Sequence, residues 1–205
     1  MNCYGSLALT VASPAQSFVE PFTVPHVLKY LDLGEPSAND IDMAEGFITA
    51  ARVEVERLFG QDLVVKQWDL RLNTIGYHTQ VVELRTPLQS VELIEYRDSD
   101  GNVTALTEGT EYIVDTASGI VLPVYGTTWP SFTPYPSGAV LIRFTSGYPA
   151  SHPFWLDEGQ ALRLAMKMLI SFYFEERIPV VVGRGIPQEL EFAVNSLARG
   201  TPRAR

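Results

Sequence analysis

Residues 85–106 read RTPLQSVELIEYRDSDGNVTAL. Two apolar-rich runs, VELIEYR at 91–97 and VTAL at 103–106, flank the turn sequence DSDGN. Asp and Gly both tolerate positive φ, so Asp100-Gly101 lets the chain reverse tightly between two antiparallel strands. The segment is therefore expected to fold as a hairpin. It lies in the middle of a chain whose two ends read as helix, and that layout says more than any single residue.

The two-residue period extends on both sides of the hairpin. QWDLRLN alternates Trp68, Leu70 and Leu72 against Asp69 and Arg71, as a strand with one wet face does. QVVELR, EYIVD, GIVLPV and AVLIRFTSGY are further strand candidates separated by turn residues. Residues 61–150 are thus expected to form an inserted antiparallel β meander or small barrel. One segment breaks the rhythm. YGTTWPSFTPYPSG, residues 125–138, carries the aromatics Tyr125, Trp129, Phe132 and Tyr135 among prolines, and is expected to protrude as a loop.

Outside this insert the period becomes helical. VPHVLKYLDLG suggests a short helix with Pro25 in its first turn. A longer helix is expected to about Phe59, capped by Ser37, Asn39 or Asp40 and stopped by Gly60. Its apolar stripe runs Ile41, Ala44, Ile48, Ala51, Val55, Leu58. Helix is expected again from near Leu156 to Glu176, apolar over far more than the ~100° that a surface helix needs. Two readings follow: a central helix of its own domain, or a helix that also packs on a neighbouring subunit. A last amphipathic helix begins at Gln188. The expected fold class is α+β: a helical body of residues 24–60 and 153–198 around the β insert. A loosely ordered N-terminal arm, residues 1–23, and a basic tail, residues 199–205, complete the chain.

Composition narrows the function classes. The chain has 205 residues, 24 acidic and 15 basic, for a net charge of −9. Such a surface repels nucleic acid, which disfavours sequence-reading DNA or RNA binding. With Cys3 as the single cysteine, no internal disulfide can form. The opening residues lack the basic start of a secretory signal, and the most apolar later run, 168–174, is far shorter than the ~20 residues that span a bilayer. No membrane partner is expected.

A search for chemistry finds little. His26, His78 and His152 fit no metal-ligand spacing, so no metal site is expected. His152 beside Ser151 lacks a nucleophile elbow. GRG at 183–185 lacks the lysine and the strand-to-helix setting of a phosphate loop. The acid pairs Asp157–Glu158 and Glu175–Glu176 read as solvated helix ends. No catalytic residue, cofactor or enzymatic activity is expected.

Four stretches carry a resemblance. IDMAEGFITAARVEVERLFGQDLVVKQWDLRL, ELRTPLQSVELIEYRDSDGN, GAVLIRFTSGY and ALRLAMKMLISFYFEER, taken in this order over about residues 38–195, resemble the head–tail connector (adaptor) proteins of tailed bacteriophages. The resemblance implies a structural virion protein, acting in the neck after assembly in the host cytoplasm. It implies a ring homo-oligomer, commonly a dodecamer, that sits under the portal protein, extends the DNA channel without reading sequence, and offers a platform for a neck, head-closure or tail protein. On that basis Leu162, Met166, Ile170 and Tyr173 are candidates for the subunit interface. Read from the residues themselves, Tyr125, Trp129, Phe132 and Tyr135 could stack on a sugar or base, hold the loop together or anchor a protein contact, and they are candidates for a loop interface. Arg184, Leu190, Val194, Leu197, Arg199, Arg203 and Arg205, where the local charge turns basic, are candidates for docking on the portal. The main rival is a tail-tip module that binds host-surface glycans through loop 125–138; an enzyme whose site is assembled from residues distant in sequence is another.

Overall fold

The computed structural model describes residues 8–11, 19–76, 80–176 and 188–200, with the backbone alone for 8–11, 199 and 200. In chain order the elements are β1 (Ala8–Val11), α1 (Val24–Tyr30), α2 (Ala38–Phe59), β2 (Lys66–Leu72), β3 (Val82–Glu83), β4 (Leu88–Arg97), β5 (Val103–Ala105), β6 (Tyr112–Asp115), β7 (Ile120–Pro123), β8 (Val140–Ser146), a 3-10 turn (Pro153–Leu156), α3 (Gly159–Glu176) and α4 (Gln188–Gly200). The fold is α+β. The chain divides into two compact units: a helical one from Val19–Val64 and the chain after Tyr148, and a β one from Val65–Gly147 together with β1.

In the helical unit, α2 begins at a capping box. Ser37 Oγ accepts from the Asp40 N–H at 3.2 Å, and the Ser37 N–H donates to Asp40 Oδ2 at 2.9 Å. It ends at Gly60, whose φ of 79° is open to glycine and strained for other residues. Ala44, Ile48, Ala51 and Val55 of the expected stripe are buried, joined by Phe47 and Phe59, whereas Ile41 is exposed. The α3 helix starts at Gly159 rather than near Leu156. A Cβ there would lie 2.8 Å from the Phe154 carbonyl oxygen, so glycine lets the 3-10 turn fold tightly back onto the helix. Within the turn, His152 Nδ1 accepts from the Phe154 N–H at 3.2 Å. The Tyr148 and Phe154 rings stack 4.0 Å apart.

One chain of polar contacts is buried among these helices. Arg52 Nε donates to Glu20 at 2.8 Å and Arg52 Nη1 to Glu56 at 3.0 Å, while the second Glu56 oxygen accepts the Leu63 N–H at 3.0 Å. Arg52 and Glu56 are both nearly inaccessible to solvent. Such a network fixes geometry more than it adds net stability, but deleting one member strands the others, at about 3–5 kcal/mol. It ties the residues entering α1 and those leaving α2 to the middle of α2.

The β unit holds a five-stranded antiparallel sheet in the order β1-β2-β8-β4-β5 and a three-stranded sheet in the order β3-β7-β6. The central hairpin is present, with Glu95 opposite Ala105 and Arg97 opposite Val103. The strand order departs from a simple meander: β8, late in sequence, lies between β2 and β4. Its Val140, Leu141, Ile142 and Phe144 are buried, as expected for the middle strand. The N-terminal arm also departs from its expectation, because residues 8–11 pair with 68–71 and form the sheet's edge.

Candidate interface surfaces

The side chains proposed from sequence for a subunit interface lie mostly inside the helical unit. Leu162, Met166 and Ile170 are fully buried in a core with Ala51, Val55 and Phe59. Tyr173 is half-buried, its ring 5.8 Å from Phe47, and burial pushes its phenol pKa upward. Much of the broad apolar surface of α3 is thus covered by α2, α4 and the 3-10 turn. Those three residues present no exposed flank. On α3 the exposed apolar side chain is Leu164, 49% accessible.

On α4 the candidate side chains also pack within the helical unit. Val194 and Ala198 are fully buried, and Leu190 and Leu197 pack against the same core. The apolar face expected to fill a groove on another protein is occupied at home. Arg184, Arg203 and Arg205 lie outside the described residues, as does the side chain of Arg199. What α4 does expose is Phe192, 76% accessible, with Glu189 and Glu191 nearby.

Loop 125–138 is not a free projection. Trp129 is only 5% accessible and its indole N–H donates to the Gln80 carbonyl at 2.8 Å. The backbone of Gly76 presses so closely on this ring that a Cβ there would come within 2.8 Å of Trp129 Cβ. Phe132 stacks on Tyr96 at 4.3 Å, the Arg97 guanidinium lies 4.3 Å above the Tyr135 ring, and the Tyr135 N–H donates to the Arg97 carbonyl at 3.1 Å. The prolines and aromatics thus staple the loop along β4 and its turn. Of the four candidate interface aromatics, Trp129 belongs to the core, Phe132 is partly covered, Tyr135 sits at the margin, and Tyr125 is fully exposed.

One face of the large sheet is polar. Arg143 on β8 grips Asp69 on β2 with two bonds, 2.7 Å from Nε and 2.9 Å from Nη2, and Thr145 donates to Glu92 at 2.6 Å. The Arg143 hydrogen bonds hold the Asp69 carboxyl below the ordinary carboxylate range. These groups complete one another across paired strands.

The helical unit carries a cleft of about 520 Å³ whose walls include Phe22, His26, Gln160, Arg163, Leu164 and Lys167. Arg163 lies 5.2 Å from the Trp155 ring and 5.8 Å from Phe22. Lys167 lies 5.1 Å from Tyr30 and 5.6 Å from Phe22. His26 stacks on Phe22 at 5.4 Å. The Arg163 Nε is buried and has no hydrogen-bond acceptor. Periodicity missed this site because its walls come from the 21–26 segment and α3, far apart in sequence.

Among the described residues, no group of three or more His, Cys, Asp or Glu is placed to hold a metal ion. Nor, among them, is any helix long and apolar enough to cross a membrane. Asp157, Glu158, Glu175 and Glu176 are exposed.

The fold has relatives among solved structures. A chain in the "Neck of empty GTA particle computed with C6 symmetry" superposes with a TM-score of 0.70 at 22% identity, covering 97% of this chain and 96% of that one. The chain shares its fold with a particle-neck protein. A second match, from the "Virion of native gene transfer agent (GTA) particle", has a TM-score of 0.67 at 20% identity, over 96% of each chain. A third, from the "Neck of native GTA particle computed with C12 symmetry", has 0.64 at 22% identity, over 98% of this chain and 97% of that one. No protein-family model and no curated protein sequence matches the chain.

Proposed function

We propose that this chain is a structural neck protein of a tailed-phage-like particle, a head–tail connector that assembles into a ring beneath the portal. The observation that carries this reading is the near end-to-end likeness to neck chains, 97% of this chain against 96% of the neighbour. Partial likeness through a common β module would leave the helices unmatched. Neck structures treated with C6 and C12 symmetry favour a ring of six or twelve copies, in keeping with the dodecamer that the sequence motifs imply. The acid surplus suits a channel that lets DNA slide past rather than binding it. In this reading the partners are the portal above and a head-closure or tail protein below, and the protein is made and assembled in the host cytoplasm. The chain carries out no catalysis.

The glycan-binding alternative loses its platform, because Trp129 is buried and Phe132 is stacked on Tyr96. Cryo-electron microscopy of particles whose genome encodes this chain tests the main reading. A ring at the junction of head and tail is expected. Finding the chain at the tail tip, or absent from finished particles, would overturn the reading.

A further inference from the structure

We propose that the cleft beside α3 is one half of a contact between copies of this chain, and that it receives Glu189 and Phe192 of an adjoining copy. The inference rests on the ring reading. A cyclic assembly needs two unlike, mutually complementary patches on each subunit. The helical unit offers such a pair.

The first patch is cationic and aromatic. Arg52, Arg57 and Arg143 each hold a carboxylate. Among the described residues Arg163 and Lys167 hold none; they rest on the rings of Phe22, Trp155 and Tyr30. Arg163 is further short of an acceptor at its buried Nε. A guanidinium and an ammonium one helical turn apart, flanked by Phe22 and by exposed Leu164, suit a carboxylate that arrives beside an apolar ring.

The second patch has that composition. Phe192 stands 76% exposed on α4, and Glu189, also exposed, precedes it by three residues and so shares its face. The opposite face of α4 is anchored by Val194 and Ala198, which holds the pair rigidly outward. The acid would reach Lys167 and Arg163 while the Phe192 ring covers Leu164. A nucleic-acid phosphate is the weaker occupant, because the chain's net charge of −9 opposes it.

Disulfide trapping tests the contact without requiring a stable ring. In a Cys3→Ser background, a Leu164→Cys chain is mixed with a Phe192→Cys chain and oxidised, so that every cross-link joins two copies. The heterodimer should exceed its random share over the two homodimers. Lys167→Glu in the first chain should abolish the excess, and Glu189→Lys in the second should restore it, which a misfolded variant would not permit. A purely random distribution of the three cross-links, or an excess indifferent to both charge changes, overturns the contact. Rings seen in particles without this cross-link would leave the ring reading standing and remove only the Glu189–Phe192 assignment.

Discussion

Replacing Trp129 with alanine removes the indole that packs against Gly76 and donates to the Gln80 carbonyl. The cavity left by an aromatic core residue costs about 3–5 kcal/mol. The β unit of the variant should therefore unfold at markedly lower urea, followed by circular dichroism in the β region; an unchanged midpoint would mean that the ring is not part of the core. Acid should act on the same unit through Asp69, Asp98 and Asp115. Each carboxyl is held below its ordinary range, by Arg143, by the Asn102 side chain and by Ser118 respectively. A folded pKa below the unfolded value of about 3.9 means that the unfolded chain binds protons first. The stabilisation is thus fully present above that value and is lost as pH falls through the folded values. Thermal melts from pH 7 down to pH 2 should show a loss below about pH 4, and Asp69→Asn should flatten part of it. A variant with the same acid slope as the parent would remove Asp69 from the account.

At the scale of elements, α4 belongs to the helical core. A chain ending at residue 187 loses Val194 and Ala198, both fully buried, and uncovers the surfaces of α2 and α3 beneath them. Burial of an aliphatic side chain of this kind is worth about 1.5–3 kcal/mol, so the truncated helical unit should melt earlier and bind an apolar dye. Equal melting of both chains would show that α4 is dispensable to the fold. Much at this scale was legible in the sequence. The Ser37–Asp40 box and Gly60 bound α2 as local capping chemistry predicts, and the strands follow their two-residue period. What was not legible depends on partners distant in the chain. Nothing within AVLIRFTSGY says that it will lie between β2 and β4, and four residues of an N-terminal arm give no period to read. Trp129 looked like a tip because prolines surround it; its partners, Gly76 and Gln80, lie some fifty positions earlier. The apolar surplus of α3 was visible, but the sequence left open whether its own chain or a neighbour covers it.

At the scale of the whole molecule, the helical core is discontinuous. α1 and α2 precede residues 65–147, which with β1 make up the β unit, whereas α3 and α4, which complete the helical packing, follow them. A nascent chain consequently has all eight of the described strands by residue 146, while α2 still lacks the helices that bury Ala44, Ile48, Ala51 and Val55. Vectorial synthesis is therefore expected to fold the sheet first and the helices last, with the apolar side of α2 waiting in between. A fragment of residues 1–147 should show slow amide exchange in β2, β4 and β8 and fast exchange in α2; protection of α2 in that fragment would contradict this order. The helical unit is then complete only at the end of synthesis. If the chain forms the ring proposed above, a copy whose last helix has not yet docked lacks the finished surface of the helical unit, so the placement of residues 65–147 between the two helix pairs would delay joining until synthesis is complete.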